Sequence, residues 1–189
     1  MESPEYNPRE NKLKYESSAY HTVRHKNPIV KIYFRWKFNK IIRFAKIKKE
    51  ELVLDFGCGD KWLKNLLGGY NIIGYDLNPK QTDIKDYTTI KPDKILVIDV
   101  FEHIPLEEIK KIIKKFKEMN PNFELITSIP TENWISRKIR VLVGKKERAP
   151  DHITSIKEIW SVLKEEMKLS KKINFFTIAW IAKFEKKTI

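Results

Sequence analysis

From Glu51 onward, short apolar runs alternate with stretches whose apolar positions recur every three or four residues. "ELVLDFG" is a compact apolar run that predicts a buried strand. "DKWLKNLLGG" predicts a short helix closed by glycine. "NIIGYDLN" and "DKILVIDV" predict two further strands, the latter preceded by Pro92. In "PLEEIKKIIKKFKEM", Leu106, Ile109, Ile112, Ile113 and Phe116 share one helical face and lysines cover the other. Glu107 and Glu108 fall in the first turn, where the helix dipole favours them. "FELITSIP" returns to a strand. "SIKEIWSVLKEEM" predicts a helix with a Ser155–Glu158 capping box and a face of Ile156, Ile159, Trp160, Leu163 and Met167. The tail "LSKKINFFTIAWIAKF" reads as two closing strands. Strand and helix alternating in this way predicts an α/β fold, a mostly parallel sheet covered by helices. Ligands of such sheets bind at the carboxyl ends of the strands. Asp55, Gly57, Asp76 and Asp99 all fall at predicted strand ends.

Upstream the pattern differs. Residues 1–27 are polar. Pro28 then opens a helical segment in which Val30, Phe34, Phe38, Ile41 and Ala45 share a face. Lys31, Arg35, Lys37, Lys40 and Arg43 are assigned to its other sides. The preferred reading is a helix docked on the domain, and the sharper alternative is a basic helix on a membrane or RNA. The expected organisation is an N-terminal helical extension or lid over residues 1–50 and a main domain over 51–189.

Charge changes this picture modestly. The net charge is +13, and residues 1–50 hold 13 Lys/Arg against 5 Asp/Glu. A basic surface suits nucleic acid, anionic lipid or acidic substrates. Abundant Lys, Glu and Ile is also a habit of heat-adapted proteins, which accounts for most of the lysines. Cys58 is the single cysteine, so no disulfide forms within the chain. No apolar run approaches the roughly 18 residues of a membrane span. The first residues lack the apolar centre of a signal peptide. The expected location is cytoplasmic.

The chemistry concentrates in "VLDFGCGDKW". Gly57 and Gly59 let the backbone approach a ligand. A dinucleotide fingerprint would need glycine at position 62, where Trp62 stands. A P-loop would end in Gly-Lys-Ser/Thr, which is absent. Asp55 at the mouth disfavours a phosphate and suits a cationic group. Asp76 closes the second strand, and a carboxylate there can hold a ribose diol.

"VLDFGCGDKW", "IIGYDLNP" and "ILVIDVFEHIP", in that order, resemble the class I S-adenosylmethionine-dependent methyltransferases. The resemblance is good over residues 51–130 and looser elsewhere. It implies a Rossmann-like, doubly wound, mostly parallel seven-stranded sheet with an antiparallel last strand. It also implies S-adenosylmethionine as cofactor, with Gly57 and Gly59 on the methionine part, Asp76 on the ribose and Asp86 or Tyr87 beside the adenine. Asp55, Cys58, Leu77 and Asp99 complete the candidate cofactor set. Two departures stand out. Lys61 occupies a position where many members carry a further glycine, adding bulk beside the cofactor. Only about sixteen residues separate Asp76 from Asp93, too few for a full helix and strand. "QTDIKDYTTI" is therefore expected to form a short edge strand with the helix deleted.

Methyl transfer is an in-line displacement in which the protein mainly positions the partners. A hydroxyl acceptor also needs a base or a metal. The Asn/Asp-Pro-Pro-aromatic motif of base amino-methylation is replaced by "DVFEHIP", which disfavours that reaction. Glu102, His103 and His152 are the candidate catalytic residues, as base or substrate contacts. With Asp99 they also resemble the Glu-x-x-Glu-His metal site of ubiquinone-pathway O-methyltransferases and small-RNA 2′-O-methyltransferases. A divalent metal there is the less favoured reading. The loop from Pro130 to Thr154 is the expected acceptor site. Its Trp134, Arg137, Lys138, Arg140, Lys145, Lys146 and Arg148 suit an anionic acceptor, and Tyr20, His21 and Arg24 are lid candidates. The predicted function is methylation of oxygen on a small-molecule or lipid- or sugar-linked acceptor. The alternatives are a metal-assisted RNA 2′-O-methyltransferase, and a non-catalytic protein that binds RNA or membrane through its basic face. Peripheral membrane contact is compatible with the sequence, and nucleic acid is a less favoured partner.

Overall fold

The computed structural model describes residues 28–131, 133, 134, 137, 138, 141 and 152–187. Tyr20, His21, Arg24, Arg140, Lys145, Lys146 and Arg148 lie outside the described residues.

The apolar pattern becomes a layered α/β structure. In chain order the elements are α1 (Pro28–Ala45), β1 (Val53–Phe56), α2 (Trp62–Leu66), β2 (Ile72–Tyr75), β3 (Lys94–Ile98), α3 (Leu106–Met119), β4 (Glu124–Pro130), α4 (Ile156–Glu166), β5 (Lys168–Phe175) and β6 (Ala179–Glu185). Short 3₁₀ turns cover Tyr87–Thr89 and Phe101–His103. The sheet order is β2-β1-β3-β4-β6-β5. β1 pairs parallel with β2 and β3, and β3 parallel with β4. β6 runs antiparallel to both β4 and β5, so the last strand is the reversed one, as expected.

Side chains alternate across the strands and build one core on each face. On one face Leu54, Phe56, Ile95 and Val97 meet Ile109, Ile113 and Phe116 of α3 and Ile159 and Leu163 of α4. On the other, Val53, Ile72, Leu96 and Ile126 meet Ile41, Phe44 and Ala45 of α1 and Leu63 of α2. α1 is thus a working part of the core. Ile41 is fully buried, and burying such a side chain contributes about 1.5–3 kcal/mol. The ring of Phe38 stacks on Trp62 at 3.8 Å between centroids, tying α1 to the helix after the glycine loop. α4 starts with both halves of the predicted capping box in place.

Seven strands were expected, and the described residues form a six-stranded sheet. Two expectations need correction. Residues 81–90 make no edge strand; they form turns and the Tyr87–Thr89 3₁₀ turn. The edge of β2 is closed locally instead. The N–H of Asp83 donates to the Gly74 carbonyl at 2.8 Å, and the Gly74 N–H donates to an Asp83 carboxylate oxygen at 2.9 Å. One aspartate thereby does at Gly74 what a neighbouring strand would do. The second correction concerns Lys37, assigned above to the polar side of α1. It is 2% exposed, because its ammonium is paired with Asp99. No helix among the described residues is long and apolar enough to cross a membrane.

Candidate functional site

The glycine loop turns directly off β1 and lies across the end of β2. The N–H groups of Gly57 and Cys58 both donate to the Tyr75 carbonyl, at 2.8 and 3.1 Å. Gly57 has φ +78°, a conformation that side chains rarely adopt. A Cβ on Gly57 would also sit 2.4 Å from Cγ2 of Val100. Gly59 donates its N–H to Oδ2 of Asp76 at 2.9 Å, and Asn78 donates to Oδ1 at 2.9 Å. Each carboxylate oxygen of Asp76 therefore takes one backbone N–H and keeps a lone pair. The loop and the acid that sequence reasoning paired are joined by a hydrogen bond.

Lys61 does not crowd the loop. Its backbone is left-handed, φ 54°, the geometry that would favour glycine. Its ammonium reaches Oδ1 of Asp83 at 2.6 Å, while Lys64 holds Oδ2 at 2.9 Å. Desolvation raises the Asp83 pKa, but Lys61, the Gly74 N–H and Lys64 outweigh it and bring it to about 2. Cys58 packs its sulfur against Gly74, where a Cβ would lie 2.7 Å away. Burial first, then Asp55, Asp76 and Asp83, push its thiol well above the usual range, so it is inert at neutral pH. Asp55 is 5% exposed, and burial, then Asp76 and Asp83, lift its pKa to about 7. This corner of the molecule is rich in carboxylates and suits a cationic ligand.

The other candidate cofactor residues fall differently. Leu77 is 49% exposed at the start of the loop after β2. Asp86 caps the 3₁₀ turn, accepting from the Thr88 N–H at 2.9 Å and its hydroxyl at 2.7 Å. The ring of Tyr87 is buried among Phe56, Tyr75 and Phe116, with centroids 4.8–5.8 Å away.

At the end of β3 the chain turns sharply through Asp99, φ 54°. One carboxylate oxygen of Asp99 pairs with Lys37, and the other accepts the Ser128 hydroxyl at 2.8 Å. Burial works to lower the Lys37 pKa. The charges of Asp99, Tyr33 and Glu102 outweigh it and hold the ammonium above the usual lysine value. A permanent cation from α1 therefore stands at the carboxyl end of the sheet. Sequence reasoning missed it by sorting α1 by charge. Its phase was visible, since Tyr33, Lys37, Ile41 and Phe44 lie at helical spacing on one face.

Glu102, His103 and His152 come together although His152 is far along the chain. The Glu102 carbonyl accepts the N–H groups of Ile153 and Thr154, at 2.9 and 3.2 Å, and the Thr154 hydroxyl donates to the Ile104 carbonyl at 2.6 Å. These bonds seat the segment before α4 on the 3₁₀ turn. The two imidazoles meet edge to face, 5.0 Å apart, and one donor atom from each of the three residues lies within 4.8 Å of the others. Glu102 is 3% exposed. Asp99, the fourth residue of the resemblance, is engaged by Lys37 and Ser128. Two imidazoles and a carboxylate can exchange protons with a substrate or hold a divalent ion.

Comparison with known proteins agrees with this architecture. The family model described as a methyltransferase domain matches residues 31–183. No curated protein matches the chain. Among solved structures, the fold is similar to magnesium protoporphyrin IX methyltransferase from Synechocystis PCC 6803 with bound S-adenosylmethionine. There the TM-score is 0.67 at 14% identity, covering 98% of this chain and 100% of that one. A protein from Pyrococcus horikoshii OT3 gives 0.67 at 13% identity, covering 93% and 99%. The N-methyltransferase NodS from Bradyrhizobium japonicum WM9, in complex with S-adenosylhomocysteine, gives 0.65 at 14% identity, covering 92% and 99%.

Proposed function

Because the chain belongs to the methyltransferase domain family, we propose that it binds S-adenosylmethionine at the Gly57–Gly59 loop and Asp76 and methylates an oxygen acceptor. The acceptor in this reading is a small molecule, or a lipid- or sugar-linked one. The observation that carries the cofactor assignment is the Gly59–Asp76 hydrogen bond, which presents an acid with open lone pairs beside a bare backbone. A ribose diol fits those lone pairs. The carboxylates of Asp55 and Asp76 match a ligand bearing a sulfonium and an ammonium. When bound, the cofactor supplies an electrophilic methyl group.

The chain's own residues do the rest. The Gly57–Gly59 backbone and Asp76 fix the ligand's position, which is most of what an in-line displacement requires. His103 or His152 accepts the acceptor hydroxyl's proton at an imidazole nitrogen as the oxygen attacks. Glu102, buried beside them, favours the imidazolium that results. Lys37 pairs with Asp99 and holds that carboxylate in place at the same end of the sheet.

A second reading rests on the Glu102, His103 and His152 cluster, whose donor atoms fit a divalent ion. An ion held there would lower the pKa of an acceptor hydroxyl, as a metal-assisted RNA 2′-O-methyltransferase requires. Metal content of the purified protein and of His103→Ala separates the two. Under the metal-free reading neither holds stoichiometric metal. For the acceptor, labelled cofactor is incubated with lipid, RNA and small-molecule extracts. Label in base-stable, ether-type products of the lipid or small-molecule fraction supports the first reading, and label confined to RNA overturns it.

A further inference from the structure

The turn between β5 and β6 breaks two rules at once. Its central residues, Phe176 and Thr177, have φ 48° and 58°. Asn-Gly is the usual choice for such a hairpin, because bulky and β-branched residues are strained in that conformation. Phe176 is also 59% exposed. A strained turn that displays an aromatic ring to solvent calls for a function. The turn is held firmly. The Thr177 carbonyl accepts from the Thr131 hydroxyl and from the Asn133 amide, the latter at 2.5 Å.

Phe176 is not isolated. Its ring stacks on Trp36 of α1, 6.2 Å apart and 28° from parallel, and Trp36 is 60% exposed. Ile32, one turn earlier on the same side of α1, is 52% exposed, and Trp134, next to Asn133, is 66% exposed. Lys31 and Arg35 flank this apolar group and are exposed, and α1 contains no acidic residue. β6 begins with Ala179 opposite Pro130, the last residue of β4. The hairpin tip therefore stands at the carboxyl end of the sheet, the end that holds Asp76 and Asp99.

We propose that Trp36, Phe176 and Ile32, flanked by Lys31 and Arg35, form a docking surface for an anionic lipid bilayer. Aromatic rings and an aliphatic side chain enter the headgroup boundary, while the cations meet lipid phosphates. Lipid fits better than RNA. Trp36 and Phe176 lie against one another with centroids 6.2 Å apart and, with Ile32, make one mixed aromatic and aliphatic group instead of a row of separate rings for successive bases. Ile32 offers nothing for a base to stack on. Docked this way, the protein turns the carboxyl end of its sheet toward the membrane. The surface does not depend on which acceptor the site takes.

Flotation of the full chain with vesicles tests this. Vesicles of phosphatidylcholine with phosphatidylglycerol should carry the protein, and those of phosphatidylcholine alone should carry far less. Added salt should weaken the binding. Trp36→Ser and Phe176→Asn should each reduce affinity, and the pair by about tenfold or more. Lys31→Glu with Arg35→Glu should abolish the preference for anionic lipid. Asn tolerates the left-handed backbone better than Phe, so Phe176→Asn should hold or raise the melting temperature while losing vesicle affinity. A fall in both would mean the ring is merely structural and would overturn the proposal. So would wild-type protein that ignores anionic vesicles, or that binds single-stranded RNA through these residues while leaving vesicles alone. Binding of S-adenosylhomocysteine, unchanged in the variants, keeps this result separate from the fate of the enzymatic reading.

Discussion

Asp83→Asn isolates the charge that closes the sheet edge. The amide oxygen can still accept from the Gly74 N–H, while the attraction of Lys61 and Lys64 is lost. Asp83 has its pKa held at about 2, against an unfolded value near ~3.9. That depression of roughly two units corresponds to an upper bound of ~2.6 kcal/mol at neutral pH. Lys64 is 45% exposed, so solvent screening reduces the expected loss to about 1–2 kcal/mol. In a domain of this size that lowers the melting temperature by ~3–6 °C. The sign follows from the depressed pKa. The stabilisation is complete above ~pH 4 and disappears as the pH falls through ~2. Urea unfolding of both proteins at pH 7 and pH 3 reads the difference directly. At pH 3 the gap should be about half its neutral value. Equal stability at pH 7, or a gap that does not shrink at pH 3, would refute the argument.

Gly57→Ala combines a positive φ with a methyl group 2.4 Å from Val100, and should cost about 2–4 kcal/mol and abolish S-adenosylhomocysteine binding. Adding Val100→Ala should restore only part of it, because the φ remains; thermal melts and calorimetry read both. Lys37→Met leaves the Asp99 carboxylate beside Ser128 alone, and Asp99 is 27% exposed, so the loss should be about 2–3 kcal/mol. Lys37→Met with Asp99→Asn should recover most of that stability in the same unfolding assay. Asp55 has its pKa raised to about 7, so its ionisation opposes folding increasingly as the pH rises from ~4 through ~7. Asp55→Asn should therefore stabilise the protein at pH 8, by roughly 2–4 kcal/mol, and leave it unchanged at pH 4 in thermal melts.

Much of the fold could be read from apolar spacing. β1 to β4, α3, α4 and the capping box of α4 all follow from period and end signals that local physics enforces. The order of motifs also located the loop, Asp76 and the strand-end acid Asp99. The parts not legible have a common cause, which is that a single side chain replaces a pattern. Asp83 stands in for a strand through one carboxylate, and no periodicity announces it. Lys37 is in phase with the buried face of α1, but what keeps its charge there is Asp99, 62 residues away in sequence. Lys61 tolerates a glycine-like backbone with its ammonium turned to Asp83. Tyr87 has its ring among Phe56 and Phe116, a placement that no local pattern sets. His103 and His152 were both singled out, but the Glu102 carbonyl that seats the second beside the first is a backbone group with no sequence signature.

Calorimetric titration of the wild-type chain and of Asp76→Ala with S-adenosylhomocysteine asks whether the loop and its tethered acid hold the cofactor. One site per chain is expected, with an affinity at least about tenfold weaker in the variant, because charge-assisted hydrogen bonds of ~1.5–3 kcal/mol are lost. Absence of binding to the wild-type protein, or binding that Asp76→Ala leaves untouched, would contradict the cofactor assignment.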